Sequence, residues 1–187
     1  MGEKKVPSTL NIETLNRIRQ KFYDQNLIGA YDDGTGFGNV SQRLSGDRFI
    51  ITGSETGGIP NLNTSHFAIV LDFDIENNTV VCEGLTKASS ESMSHAAIYR
   101  QCPEVNFVVH IHSPALWKKW LYKVPTTDKS IAYGTPEMAF AIQKLLEDEG
   151  LCTRDRLFVT AGHEEGIFIF GTKEEDLILN FPATPPD

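Results

Sequence analysis

The run Phe107-Val108-Val109-His110-Ile111-His112-Ser113-Pro114 constrains this chain more than any other stretch. Three apolar residues lead in, Ile111 separates two histidines and Pro114 opens a helix. The run therefore reads as a strand that stops at a helix start. Alternate side chains of a strand share a face, which points His110 and His112 the same way. Two imidazoles at that spacing on a rigid strand can chelate one metal ion. Taken alone, such a pair more often has one ring packing and the other capping the strand end, so the rest of the chain has to decide.

At 187 residues the chain reads as one domain over residues 1–187, large enough to bury a core without staples, with residues 1–8 and 182–187 expected to be flexible. A net charge of -8 argues against broad adhesion to nucleic acid or an anionic membrane. It leaves room for a phosphorylated small molecule, which a few backbone amides and hydroxyls can hold locally. Cys82, Cys102 and Cys152 are odd in number, far apart and form no CxxC, so they read as reduced thiols. With a polar start at Met1–Lys5 and no apolar run long enough to span a bilayer, the expected setting is cytoplasmic.

Along the chain, Leu10, Leu15, Ile18, Phe22 and Leu27 mark an amphipathic helix within residues 9–29, with Asn11 as its cap. The glycine-rich stretch Asp32–Ser41 follows a helix and opens a strand over 40–44, the reverse of a dinucleotide loop. It can bring Asn39 and nearby amides up to a ligand. Arg48–Thr52 is a strand followed by a second loop of small and hydroxyl residues, Gly53–Pro60, which contains Ser54. Residues 66–75 and 79–83 form a hairpin across Asn77-Asn78. Asp72, Asp74 and Glu76 lack the glycine and later glutamate of a calcium loop and read as solvent-facing.

Ser89 or Ser90 caps a helix running to about Cys102, with Glu91 in its first turn, where the helix dipole favours a carboxylate. The functional alternative makes the two serines an anion site and Glu91 an acid/base; His95, one turn on, takes a structural role. Residues 115–122 are helical. Thr135 and Pro136 start another helix over 137–149, with Met138, Ile142, Leu145 and Leu146 as its buried stripe and Gly150 as its stop. Tyr133 reads as the ordinary entry to that helix. Strands over 157–161 and 167–170 flank Gly162-His163-Glu164-Glu165-Gly166, where His163 is either idle or the third ligand that a strand pair needs. A short helix at most follows Gly171.

Taken in order, Gly38-Asn39-Val40-Ser41-x-Arg43, Ser89-Ser90-Glu91 with His95, Tyr99-Arg100-x-x-Pro103-Glu104-Val105-Asn106-x-Val108-Val109-His110-x-His112-Ser113 and Gly162-His163 resemble the class II aldolase/adducin family over roughly residues 10–172. That family includes fuculose-phosphate aldolases, ribulose-phosphate epimerases and methylthioribulose-phosphate dehydratases. The resemblance implies a three-layer α/β/α fold around a mainly antiparallel sheet, assembled as a homotetramer. It also implies zinc or another divalent metal on His110, His112 and His163, Glu91 as catalytic acid/base, and a phosphate pocket at Asn39, Ser54, Ser89 and Ser90.

The implied function is a zinc-dependent, aldolase-type lyase acting on a small sugar phosphate or related hydroxy-carbonyl compound through a metal-stabilised enediolate. Three neutral imidazoles leave the ion its charge and its open positions, and the ion acts as a Lewis acid. The alternatives are an epimerase or dehydratase of the same family, or a non-catalytic module like the adducin head. A module freed from catalysis need not keep all three histidines and Glu91. The chain departs from the better-known aldolases in His163-Glu164-Glu165-Gly166, where those read His-His-Gly. It also lacks a match for their tyrosine proton donor, and the C-terminal helix of longer members has no counterpart.

Overall fold

The computed structural model describes residues 12–154 and 156–179. The expectations for Leu10, Asn11 and the two flanks fall outside those residues. Helix α1 (Glu13–Tyr23) buries Leu15, Ile18 and Phe22 at helical spacing. It ends sooner than its apolar stripe, because Asn26 takes φ +56° and turns Leu27 and Ile28 back against the core. A two-stranded hairpin follows, β1 (Gly29–Ala30) with β2 (Gly36–Phe37). Next come β3 (Asn39–Ser45), β4 (Arg48–Thr52), β5 (Phe67–Asp74) and β6 (Thr79–Gly84), the last two turning at Asn77-Asn78.

Helix α2 (Ser92–Gln101) leads into β7 (Phe107–His112). Ser113 caps the short helix α3 (Pro114–Trp120), its hydroxyl accepting from the Leu116 amide. In α4 (Pro136–Asp148) the Thr135 hydroxyl accepts from the Met138 amide and Pro136 occupies the first position, as the sequence predicts. Strands β8 (Leu157–Val159) and β9 (Gly166–Gly171) and helix α5 (Glu174–Leu179) complete the described chain.

Seven strands form one sheet in the order β6-β5-β4-β3-β7-β9-β8, and every neighbouring pair is antiparallel. Helices cover both faces. Phe49, Ile51, Val70, Val108 and Phe168 pack against α2 and α4 on one side. Val40, Ile50, Ile69, Val109 and Ile167 pack against α1, α3 and α5 on the other. Burial on both faces explains why these strands read as apolar runs rather than alternations. Each such buried Val, Ile or Phe contributes about 1.5–3 kcal/mol. Val108 faces α2, and strand parity carries His110 and His112 to that same side.

The cysteine expectation is corrected. Cys102, just past α2, is disulfide-bonded to Cys152 in the loop after α4, with Cα atoms 5.2 Å apart, and only Cys82 is free. The 50-residue separation hid the pairing from any spacing rule. Among the described residues no helix is long and apolar enough to cross a membrane.

Candidate metal and acid–base site

Four chain segments converge at the C-terminal end of β7. His110 and His112 come from β7, and His163 from the turn joining β8 to β9. Register brings them together, since His110 pairs with Phe168 and with Asn39, and His112 pairs with Gly166. Glycine is required at 166. A Cβ there would stand 2.5 Å from Thr160 Oγ1 and 3.1 Å from His110 Cε1, filling the space the imidazole uses.

One nitrogen from each of the three rings lies within 4.8 Å of the others. His110 Nδ1 is 3.2 Å from the Ile167 carbonyl, which can only accept. The proton therefore sits on Nδ1, and the Nε2 lone pair faces His112 Nε2 at 3.0 Å. Burial lowers all three pKa values, to about 3 for His112 and about 4 for His163, and well below the ordinary range for fully buried His110, so the rings are neutral. Neutral imidazole nitrogens crowded onto one point fit a divalent cation. Two nitrogens on a tetrahedral zinc would sit about 3.3 Å apart.

Glu91 approaches from the start of α2 and is 5% exposed. The sequence expectation of a serine cap with Glu91 in the first turn is corrected. Glu91 itself holds the N-cap position, and its side chain makes no capping bond. Its Oε2 accepts from Ser94 Oγ at 3.1 Å, whereas Oε1 has no partner. Oε1 lies 3.8 Å from His163 Nδ1, which is likewise buried and unpaired. Burial pushes the Glu91 carboxyl up to about 7, against the opposing pull of the Ser94 hydrogen bond. A carboxyl poised there can both take and give a proton near neutrality.

The histidines and Glu91 open into a cavity of about 490 Å³ that is also lined by Asn39, Ser54, Ser89 and Ser90. Every site residue expected from the sequence thus faces one space. No lysine or arginine is among the described residues lining it, so an anion there would meet hydroxyls and amides. The loop carrying Ser54 is held from behind by buried Arg19, which donates to the Gly57 and Pro60 carbonyls at 2.6 and 3.1 Å. His95 has the structural place expected of it, fully buried with Nδ1 2.6 Å from Ser41 Oγ.

Two residues were missed. Tyr133 is more than a helix entry: its ring stacks on His163 at 4.4 Å and lines the cavity. Tyr31 reaches His112 Nδ1 at 2.8 Å and Glu165 at 2.9 Å. Neither carries a local signal, because each partner is more than 25 positions away in the chain.

Residues 29–118 match the family described as Class II Aldolase and Adducin N-terminal domain, a span that includes His110 and His112 but stops short of His163. A 3-oxo-tetronate 4-phosphate decarboxylase of Haemophilus influenzae is 32% identical over 106 residues, covering 56% of this chain and 44% of that protein. The chain spans less than half the length of the curated relatives it matches. Among solved structures, an L-fuculose-1-phosphate aldolase from Thermus thermophilus superimposes with a TM-score of 0.60 at 22% identity, over 88% of this chain and 82% of that one. A sugar-phosphate aldolase from Thermotoga maritima gives 0.64 at 15% identity, over 90% and 89%. At such identities the structures speak for the fold. The family match over residues 29–118 and the shared fold together make the chain similar to the class II aldolase and adducin family.

Proposed function

We propose that this chain is a zinc-dependent, aldolase-type lyase acting on a small phosphorylated hydroxy-carbonyl compound. The observation that carries the reading is the convergence of three neutral imidazoles beside a buried carboxyl with a free oxygen. His110, His112 and His163 would hold the cation, zinc being the best match to three imidazoles and another divalent ion the alternative. Once bound, the cation supplies Lewis acidity toward the hydroxyl and carbonyl oxygens of a chelating substrate. Glu91 takes up and returns the proton at Oε1. Asn39, Ser54, Ser89 and Ser90 anchor the phosphate and so fix the reacting carbons relative to Glu91. Phosphorylated sugars and sugar acids in the names of the relatives support that substrate class.

The reading takes the whole chain as one cytoplasmic domain that assembles into a homo-oligomer, as a tetramer by family resemblance. A second reading, decarboxylation or epimerisation of a similar phosphorylated compound, is favoured by the decarboxylase match. Both call on the same proton-handling carboxylate. The adducin-like, non-catalytic reading is disfavoured by the retention of Glu91 and all three histidines around one cavity.

The test is a screen of sugar phosphates and their oxidised acids against the zinc-loaded protein, followed by Glu91→Gln on the substrate found. Glu91→Gln should keep zinc and lose turnover by roughly 100- to 10,000-fold. Full activity in that variant would remove Glu91 from the reaction. Failure of every substrate would return the chain to a binding role.

A further inference from the structure

The β1–β2 hairpin stands apart from the main sheet, and its turn is closed by Tyr31 N donating to Thr35 O and Thr35 N donating to Asp33 Oδ1. It lays two aromatic rings beside the histidines. Phe37 lies 5.6 Å from the His112 ring, and Tyr31 packs on Phe37 at 4.7 Å. The Tyr31 hydroxyl then makes two hydrogen bonds, 2.9 Å to Glu165 Oε2 and 2.8 Å to His112 Nδ1. Glu165 comes from the same turn as His163, held at φ +69°, with its carbonyl accepting from the Ser113 amide.

The directions of these bonds follow from counting protons. A phenol has one, and a carboxylate can only accept, so Tyr31 donates to Glu165. The Tyr31 oxygen must then accept from His112, which puts a proton on Nδ1 and leaves the Nε2 lone pair free. That lone pair faces His110 Nε2 at 3.0 Å. Glu165 cannot do this alone, since its carboxylate is 4.0 Å from His112 Nδ1, beyond hydrogen-bond reach.

We propose that Tyr31, held by Glu165, is a positioning residue that fixes His112 in its Nδ1–H tautomer and aims Nε2 at the point shared with His110 and His163. Tyr31 does for His112 what the Ile167 carbonyl does for His110. The inference rests on the cation-binding reading above and adds to it the β1–β2 hairpin as a supporting element. Partners that orient a ligating imidazole typically change metal affinity by about 10- to 100-fold when removed.

The test compares wild type with Tyr31→Phe, which keeps the ring on Phe37, and with Glu165→Gln, whose amide no longer dictates the phenol's direction. Long-range nitrogen–proton correlation NMR on the metal-free proteins reads the His112 tautomer, its signals identified by their loss in His112→Asn. Wild type should show Nδ1–H alone, and both variants a mixture. Zinc affinity, from competition with a chromophoric chelator, should fall by roughly 10- to 100-fold in Tyr31→Phe. An unchanged tautomer in Tyr31→Phe overturns the proposal whatever the affinity does, and so does zinc affinity equal to wild type. If wild type itself binds no zinc, the cation reading fails, and the tautomer measurement still decides the role of Tyr31.

Discussion

Replacing Gly162 with alanine should cripple the cation site without touching a candidate ligand. Gly162 immediately precedes His163, and a Cβ built on it would lie 1.8 Å from the Ile131 carbonyl oxygen and 2.7 Å from its carbon. Both obstacles are backbone, so no side-chain rotation relieves them. Bringing the oxygen contact out to a bare 3.0 Å requires a retreat of about 1.2 Å in a close-packed region. That shift falls on the His163 turn, on the segment leading to Tyr133, or on both, and Tyr133 stacks on His163. Metal ligands need placement within about 0.5 Å, and a misplacement of about 1 Å costs on the order of 100-fold.

Zinc affinity of Gly162→Ala should accordingly fall about 100-fold, close to 3 kcal/mol. Overpacking should cost a further 1–3 kcal/mol of stability by rough estimate, lowering Tm by about 2–4 °C per kcal/mol. Competition titration with a chromophoric chelator reads the affinity, and a thermal melt shows that the variant is folded. A folded Gly162→Ala that holds zinc within about threefold of wild type would refute the reasoning, because the turn would then be free to move without carrying His163 off its place.

Two further outcomes test the packing and the charge balance. Ser41→Ala removes one hydroxyl, fully buried, that lies 2.6 Å from His95 Nδ1 and 2.7 Å from Tyr99 Oη. Tyr99 Oη keeps the Asn106 carbonyl at 3.4 Å, but His95 Nδ1 is left without a partner, which costs about 1–3 kcal/mol, so urea unfolding should show a loss of that size. The exposed Ser45→Ala should change almost nothing, and equal losses in the two variants would refute the hydrogen-bond account. Glu174 is held down to about 2, chiefly by its hydrogen bond from Arg17, with burial opposing and Lys21 assisting. A carboxylate with a depressed folded pKa stabilises above its unfolded value of 4.5, and that contribution is lost as pH falls toward 2. Wild type should therefore exceed Glu174→Gln in Tm at pH 6, and the gap should narrow below about pH 4.5 and close near pH 2; a gap independent of pH would contradict the assignment.

Strand parity made the shared direction of His110 and His112 legible, and the Thr135-Pro136 pair made the start of α4 legible, because both follow from rules that act within a few residues. The family resemblance, rather than any local rule, brought His163 to the pair. Its physical basis is the register of β7 against β9, which no single strand reveals. Glu91 shows the limit of cap reasoning. A serine followed by a first-turn carboxylate is an ordinary helix start, yet here the carboxylate makes no cap bond and keeps one oxygen free in the cavity. The Tyr31–Glu165 pair, the Tyr133 stack and the Cys102–Cys152 bond are contacts between distant segments, and composition and periodicity are silent about all three.

The most direct measurement is elemental analysis of wild type and His163→Ala, loaded with zinc side by side and dialysed exhaustively. The account predicts about one zinc per wild-type chain and a large loss in His163→Ala, since the turn histidine completes a three-imidazole site. Wild type without stoichiometric metal, or a variant that keeps all of it, would contradict the convergence of the three rings on one cation.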